Sequence, residues 1–151
     1  MGALKKHYKK VIVFAAILIL GIQFVRYLFP PFEMIPSTFD IYEGEDLELE
    51  VKHHWGKYEF TIHNNTSEDW MYGTPFILEV KRGSEWKSVY QDKVAFTLAA
   101  YNLPANSSVS DDLNLNFIYG KLPVGKYRIV KEIGIDRGPS YHVAGEFRVW
   151  F

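Results

Sequence analysis

The chain has no cysteine among its 151 residues. That absence excludes disulfide staples, a thiol nucleophile, thiolate metal ligands and an acylated cysteine anchor, so the fold must hold by its apolar core. Met1-Gly2 is followed by Lys6 where myristoylation prefers Ser or Thr, which removes the other common lipid anchor. No P-loop, Rossmann glycine pattern or H-E-x-x-H occurs either. Acidic residues are missing from the first 29 positions, where Lys5, Lys6, Lys9, Lys10 and Arg26 supply all the charge.

Between those cations lies the longest apolar run, Val11 to Val25, with Gln23 as its one polar side chain. It continues through Tyr27, Leu28 and Phe29 until Pro30-Pro31 stops a helix. Residues 11–29 as helix would measure about 28 Å, close to the roughly 30 Å hydrocarbon core of a bilayer. A cleaved signal peptide shares the basic start and apolar middle. It would need small residues near the end, where Gln23-Phe24-Val25-Arg26-Tyr27 is bulky throughout. The expectation is an uncleaved transmembrane helix over 11–29 in contact with membrane lipid. Residues 1–10 form a basic cytoplasmic segment, and the rest lies outside by the positive-inside rule.

All 18 acidic residues and 12 of the 17 basic ones follow residue 29, leaving that part at net −6. This argues against nucleic acid or anionic headgroups as its ligand. Residues 30–39, with three prolines in seven positions, read as a short stiff linker that supports neither helix nor central strand. Residues 40–151 suffice for one domain with a sizeable core, to which an aromatic content of 17% contributes.

The body of that domain alternates with period two. Leu47, Leu49 and Val51 share one face against Glu48, Glu50 and Lys52; Tyr58, Phe60 and Ile62 then oppose Glu59, Thr61 and His63. A hairpin turning at Trp55-Gly56 pairs Leu49 with Ile62, Val51 with Phe60, Lys52 with Glu59 and His63 with Glu48. Trp at the first central position is disfavoured in a type I′ turn, so a longer, bulged turn is an alternative. Further strands are expected at 75–81, 86–90, 97–103, 108–115, 125–135 and 142–151, separated by Gly, Pro, Asn and Asp breakers. Short strands without an intervening amphipathic helix predict an all-β antiparallel sandwich after one N-terminal transmembrane helix. Leu122-Pro123-Val124-Gly125-Lys126-Tyr127 adds the signature of the tyrosine corner of immunoglobulin-like sandwiches.

Three stretches carry a family likeness: FTIHNNT from Phe60, YGTPFILEVKRGSEWKSV from Tyr72, and YGKLPVGKYRIVKE from Tyr119. Together they resemble the bacterial immunoglobulin-like domain of membrane-anchored proteins and lipoproteins of Gram-positive bacteria, over roughly Asp46 to Val149. The resemblance implies the sandwich fold and a cell-surface setting, and no activity. Unlike the lipoprotein members, this chain has no lipobox cysteine, so a helix takes the place of the lipid.

Candidates for chemistry are sparse. In the hairpin register His53 sits by the turn and His63 about 16 Å away along a strand, too far to share an ion with it. The acidic run from Asp40 to Glu50 lacks the D-x-D-x-D-G order of a calcium loop, and it and Asp111-Asp112 read as solvated charge. Ser140, His142 and Asp136 stand on a Gly-Pro turn without a nucleophile elbow. Asn64, Asn65 and Asn106 match glycosylation sequons but read as turn residues. No catalytic residue, metal or cofactor is expected, and no small-molecule substrate is evident. Aromatics near turns or facing outward, namely Trp55, Trp70, Met71, Tyr72 and Trp150, are the candidate contacts for a protein partner at the cell envelope. The competing reading makes Trp70 and Tyr72 caps of the sandwich end.

The expected function is thus a non-catalytic binding or structural module, anchored in the membrane. The alternative is a proteinase inhibitor of similar sandwich type, with 70–75 or 103–108 as an exposed reactive loop. A sensor accessory that dimerises through its helix is disfavoured, because Gly21 stands alone without a G-x-x-x-G seam.

Overall fold

The computed structural model describes residues 2–54, 56–90 and 95–150, with side chains from residue 7 onward. The chain divides into two compact units, 1–31 and 32–151. The first is a single helix, α1 (Gly2–Leu28). Its last turn contains Arg26, and the Phe29 amide adds one more bond to the Val25 carbonyl before Pro30. Residues 7–28 are long and apolar enough to cross a membrane, and none of that span is buried within the protein.

Among its described residues the second unit has ten strands: β1 (Met34–Pro36), β2 (Leu47–His54), β3 (Lys57–Asn64), β4 (Trp70–Gly73), β5 (Ile77–Arg82), β6 (Glu85–Val89), β7 (Ala100–Leu103), β8 (Ser107–Leu113), β9 (Gly125–Gly134) and β10 (Ser140–Val149). A five-residue helix, α2 (Leu115–Tyr119), follows β8. All strand pairings are antiparallel: β2-β3-β8 form one sheet, and a seven-stranded sheet runs β1-β6-β5-β9-β4-β7 with β10 on the other edge of β9. The long β9 gives one edge wholly to β10 and divides the other between β5 and β4. The all-β antiparallel sandwich is therefore the observed architecture.

The β2–β3 register matches the expected hairpin residue for residue, including Leu49 opposite Ile62 and Lys52 opposite Glu59. His54 faces Lys57 directly, so the loop is two residues and the longer bulged turn does not form. Gly56 takes φ +79°, the left-handed conformation that a tight hairpin requires and that glycine adopts without cost. Inward positions of both sheets, among them Leu49, Phe60, Ile62, Leu78, Val80, Ile129, Ile133 and Phe147, make one continuous core. The sandwich is closed most tightly where β10 meets β2: a Cβ on Gly145 would lie 2.6 Å from the Leu49 carbonyl oxygen, so only glycine fits. Tyr127 is fully buried and its hydroxyl donates to the Pro123 carbonyl at 2.8 Å, the tyrosine corner foreseen in the sequence.

Besides α2, which begins at the expected end of the 108–115 strand, two segments are strands where none was expected. Met34–Pro36, within the stretch read as linker, pairs with β6 as the outermost strand of the large sheet. An edge is where proline's missing N–H does no harm. Onward from there, Ser37 donates to the Trp86 carbonyl and Tyr42 to that of His142, with Ile41 in a parallel bridge to His142. Trp70–Gly73, read as turn-flanking, is a strand bonded on both edges, to β7 and to β9.

Candidate functional site

Alternation along β4 separates the candidate aromatics. Trp70 turns inward and is 5% exposed; its indole N–H donates to Thr66 Oγ1 at 3.0 Å and its ring packs on Tyr141 at 5.7 Å. It is a core residue that ties the 64–67 turn to the sandwich. Thr66 is held in turn by Asn64, which is fully buried and donates to the carbonyls of Glu68, Leu103 and Pro104. Asn64 is therefore structural and closed to modification.

Met71 points outward and is 37% exposed. Tyr72 is half-buried, edge-on to Phe60 at 6.3 Å and stacked on Tyr101 at 5.4 Å. Met71 and Tyr72 lie on a shallow cleft of about 450 Å³ whose other walls include Leu98, Ala100, Glu132 and Arg137. Trp150 is 66% exposed with the Arg148 guanidinium 5.6 Å from its ring. It belongs to the opposite end of the β9–β10 hairpin, because Val149 pairs with Gly125 whereas the cleft borders Gly134 and Ser140. The candidate residues thus fall into two places and a core plug, and Trp55 lies outside the described residues.

Beneath the cleft is a group that the sequence reading passed over. Lys131 takes an inward position on β9 and is 2% exposed. Its ammonium donates to the carbonyls of Gly73 (2.8 Å) and Pro75 (3.2 Å) and lies 4.8 Å from the Phe60 ring centroid and 5.7 Å from that of Tyr72. Desolvation pushes its pKa down to about 8, against an opposing pull from Asp111. The signal was available: in Tyr127-Arg128-Ile129-Val130-Lys131-Glu132-Ile133 the inward alternation runs straight through a lysine. With both strong bonds taken by backbone carbonyls, Lys131 braces the β4–β5 connection, whose Gly73 and Pro75 line the cleft.

The remaining candidates have local roles. His53 stacks on Tyr58 at 4.4 Å, while His63 bonds Ser108 at 2.8 Å and approaches Glu50 at 3.9 Å. His142 packs on Phe39 at 5.0 Å. Among the described residues no three His, Asp or Glu side chains gather as a metal-binding set. Of the two loops considered for protease inhibition, one contains the doubly paired β4. The other is a turn held by Asp69 on the Ala105 amide and by Asn64 on the Pro104 carbonyl, with Asn106 at φ +51°.

A two-sheet antiparallel sandwich with a tyrosine corner defines an immunoglobulin-like domain. The profile of the family described as bacterial Ig-like domain matches residues 41–148, and the chain belongs to that family. No curated protein matches it significantly. One solved structure, a structural-genomics target of the Northeast consortium, is similar at 12% identity and a TM-score of 0.42, across 71% of this chain and 88% of that one.

Proposed function

We propose that this chain is a single-pass membrane protein, N-terminus in the cytoplasm, whose Ig-like domain works outside the membrane as a non-catalytic binding or structural module of the cell envelope. One observation carries the reading: residues 7–28 form a helix with no buried part, presenting Val11, Phe14, Ile17, Phe24 and their neighbours bare, in the same chain as an Ig-like domain. So much continuous apolar surface is not left in water; lipid is the solvent that suits it. Lys9 and Lys10 before the run favour the N-in orientation. The cleft at Met71 and Tyr72 and the exposed Trp150 are the surfaces offered to a partner in the envelope.

The anchoring is tested by washing membranes at alkaline pH and measuring the mass of the retained chain. Full-length chain in the membrane pellet supports the reading. A shortened chain released to the soluble fraction would show a cleaved signal peptide and overturn it.

A further inference from the structure

The acidic net charge of the domain conceals a local excess of the opposite sign. On the outward face of the large sheet, Lys81 pairs with Trp86 and Lys126 pairs with Arg148. Val80 faces Tyr127, so the same register carried one residue further sets Lys81 beside Lys126. One row across β6, β5, β9 and β10 therefore reads Trp86, Lys81, Lys126, Arg148. Neighbouring strands are about 4.8 Å apart, and like charges directly opposite each other destabilise a sheet.

The adjacent row contains Glu79, Arg128 and Glu146, but these carboxylates are engaged. Glu79 bonds Arg128, and Glu146 bonds Lys126. Among the described residues Lys81 and Arg148 have no carboxylate within ion-pair distance. Instead Lys81, Lys126 and Arg128 converge on the Trp86 ring at 5.5, 5.8 and 4.5 Å, and Arg148 lies 5.6 Å from that of Trp150. The other sheet is the reverse: its outward face carries Glu48, Glu50, Glu59 and Asp112 against Lys52 and Lys57. Lys81 and Arg148 thus flank the ion-paired Lys126 as two cations without a carboxylate, and an anionic ligand supplies the charge they lack.

We propose that this row binds a linear phosphodiester polyanion of the cell envelope, its phosphates over Lys81 and Arg148 and its uncharged links against Trp86 and Trp150. One cation per strand suits a chain lying across the strands. The acidic remainder of the domain repels a polyanion everywhere else, which fixes its position. The inference gives the binding module a ligand class and rests on that reading.

The test uses full-length protein in nanodiscs of zwitterionic lipid, titrated with synthetic poly(glycerol phosphate) at several salt concentrations. Membrane sidedness does not enter this measurement, so its failure is distinct from a failure of the anchoring reading. Binding is expected to weaken steeply with salt. Lys81→Gln and Arg148→Gln should each reduce the log–log salt slope by about 1, and together raise Kd at least tenfold. Lys52→Gln on the other sheet should leave Kd unchanged. The paired variant should melt no lower than the parent, because it relieves repulsion; this separates lost binding from lost folding. Absence of binding at low salt, or binding indifferent to both substitutions, would overturn the proposal. So would binding only to nanodiscs containing anionic lipid, or salt-sensitive self-association abolished by Glu59→Gln, which would assign the row to a second copy.

Discussion

Strand β9 sets one basic side chain against a polar partner on each face of the large sheet, Lys131 buried and Arg128 partly so, and the two are stabilised in different ways. Outward, Arg128 donates to Glu79 at 2.6 Å; that carboxylate is 0% exposed and also accepts from the Ser88 hydroxyl at 2.8 Å. Inward, Lys131 has backbone carbonyls and aromatic rings, and no carboxylate bonded to it. The first arrangement cancels charge with charge; the second spreads a full charge over dipoles and π-faces. Desolvation lowers the Lys131 pKa to about 8. A buried ion pair is costly to break and cheap to replace whole, whereas a buried lone cation burdens the fold at every pH where it stays protonated.

Removing one partner of the pair should have the largest effect. Arg128→Met leaves the Glu79 carboxylate buried and unpaired, and denaturant unfolding should show a loss of about 3–5 kcal/mol. Adding Glu79→Met should restore most of it. If the double variant is as unstable as the single one, the pair is not what holds this face together.

The next effect belongs to Lys131 and has a sign that can be checked. Its folded pKa of about 8 lies below its ordinary 10.5, so between these values the unfolded chain binds more protons than the folded one. Stability should therefore rise as pH climbs from 8 towards 10.5, by up to about 3 kcal/mol. Burial raises the pKa of Tyr58, Tyr72 and Tyr119, so the tyrosines oppose this rise only above about pH 10. Melting curves across that range should lose the rise in Lys131→Met; a rise that persists would assign the slope to another group. Smaller still, Ser88→Ala removes one bond to the buried carboxylate and should cost about 1.5 kcal/mol. Smallest is Lys52→Gln, which breaks a half-exposed pair with Glu50 at 3.2 Å and should change stability by less than about 0.5 kcal/mol.

Legibility in the sequence followed the same division between local and tertiary causes. The β2–β3 register could be read in advance because apolar meets apolar at Leu49–Ile62 and Val51–Phe60 and Lys52 meets Glu59. Tyr127 could be read because a Pro-Val-Gly turn places it. The strand character of Trp70–Gly73 could not, since four residues between two turns show no period and become a strand only through the edges of β7 and β9. Met34–Pro36 was hidden by Pro36 and by Pro30-Pro31 before it, since proline bars a central strand and permits an edge. Of the candidate contacts, alternation correctly turned Trp150 outward, but the burial of Trp70 depends on Thr66 and Tyr141, neither of which announces itself as a partner. Glu79 belongs to an outward position by alternation, and nothing in its neighbours says that Arg128 and Ser88 will enclose it.

The most direct test of the account is where the domain resides. Because the chain has no cysteine, a single introduced thiol reports one position without background. Ser84→Cys, in the exposed turn between β5 and β6, should react with a membrane-impermeant maleimide on intact cells, and Gly2→Cys only after permeabilisation. Labelling of Gly2→Cys on intact cells while Ser84→Cys stays protected would contradict it.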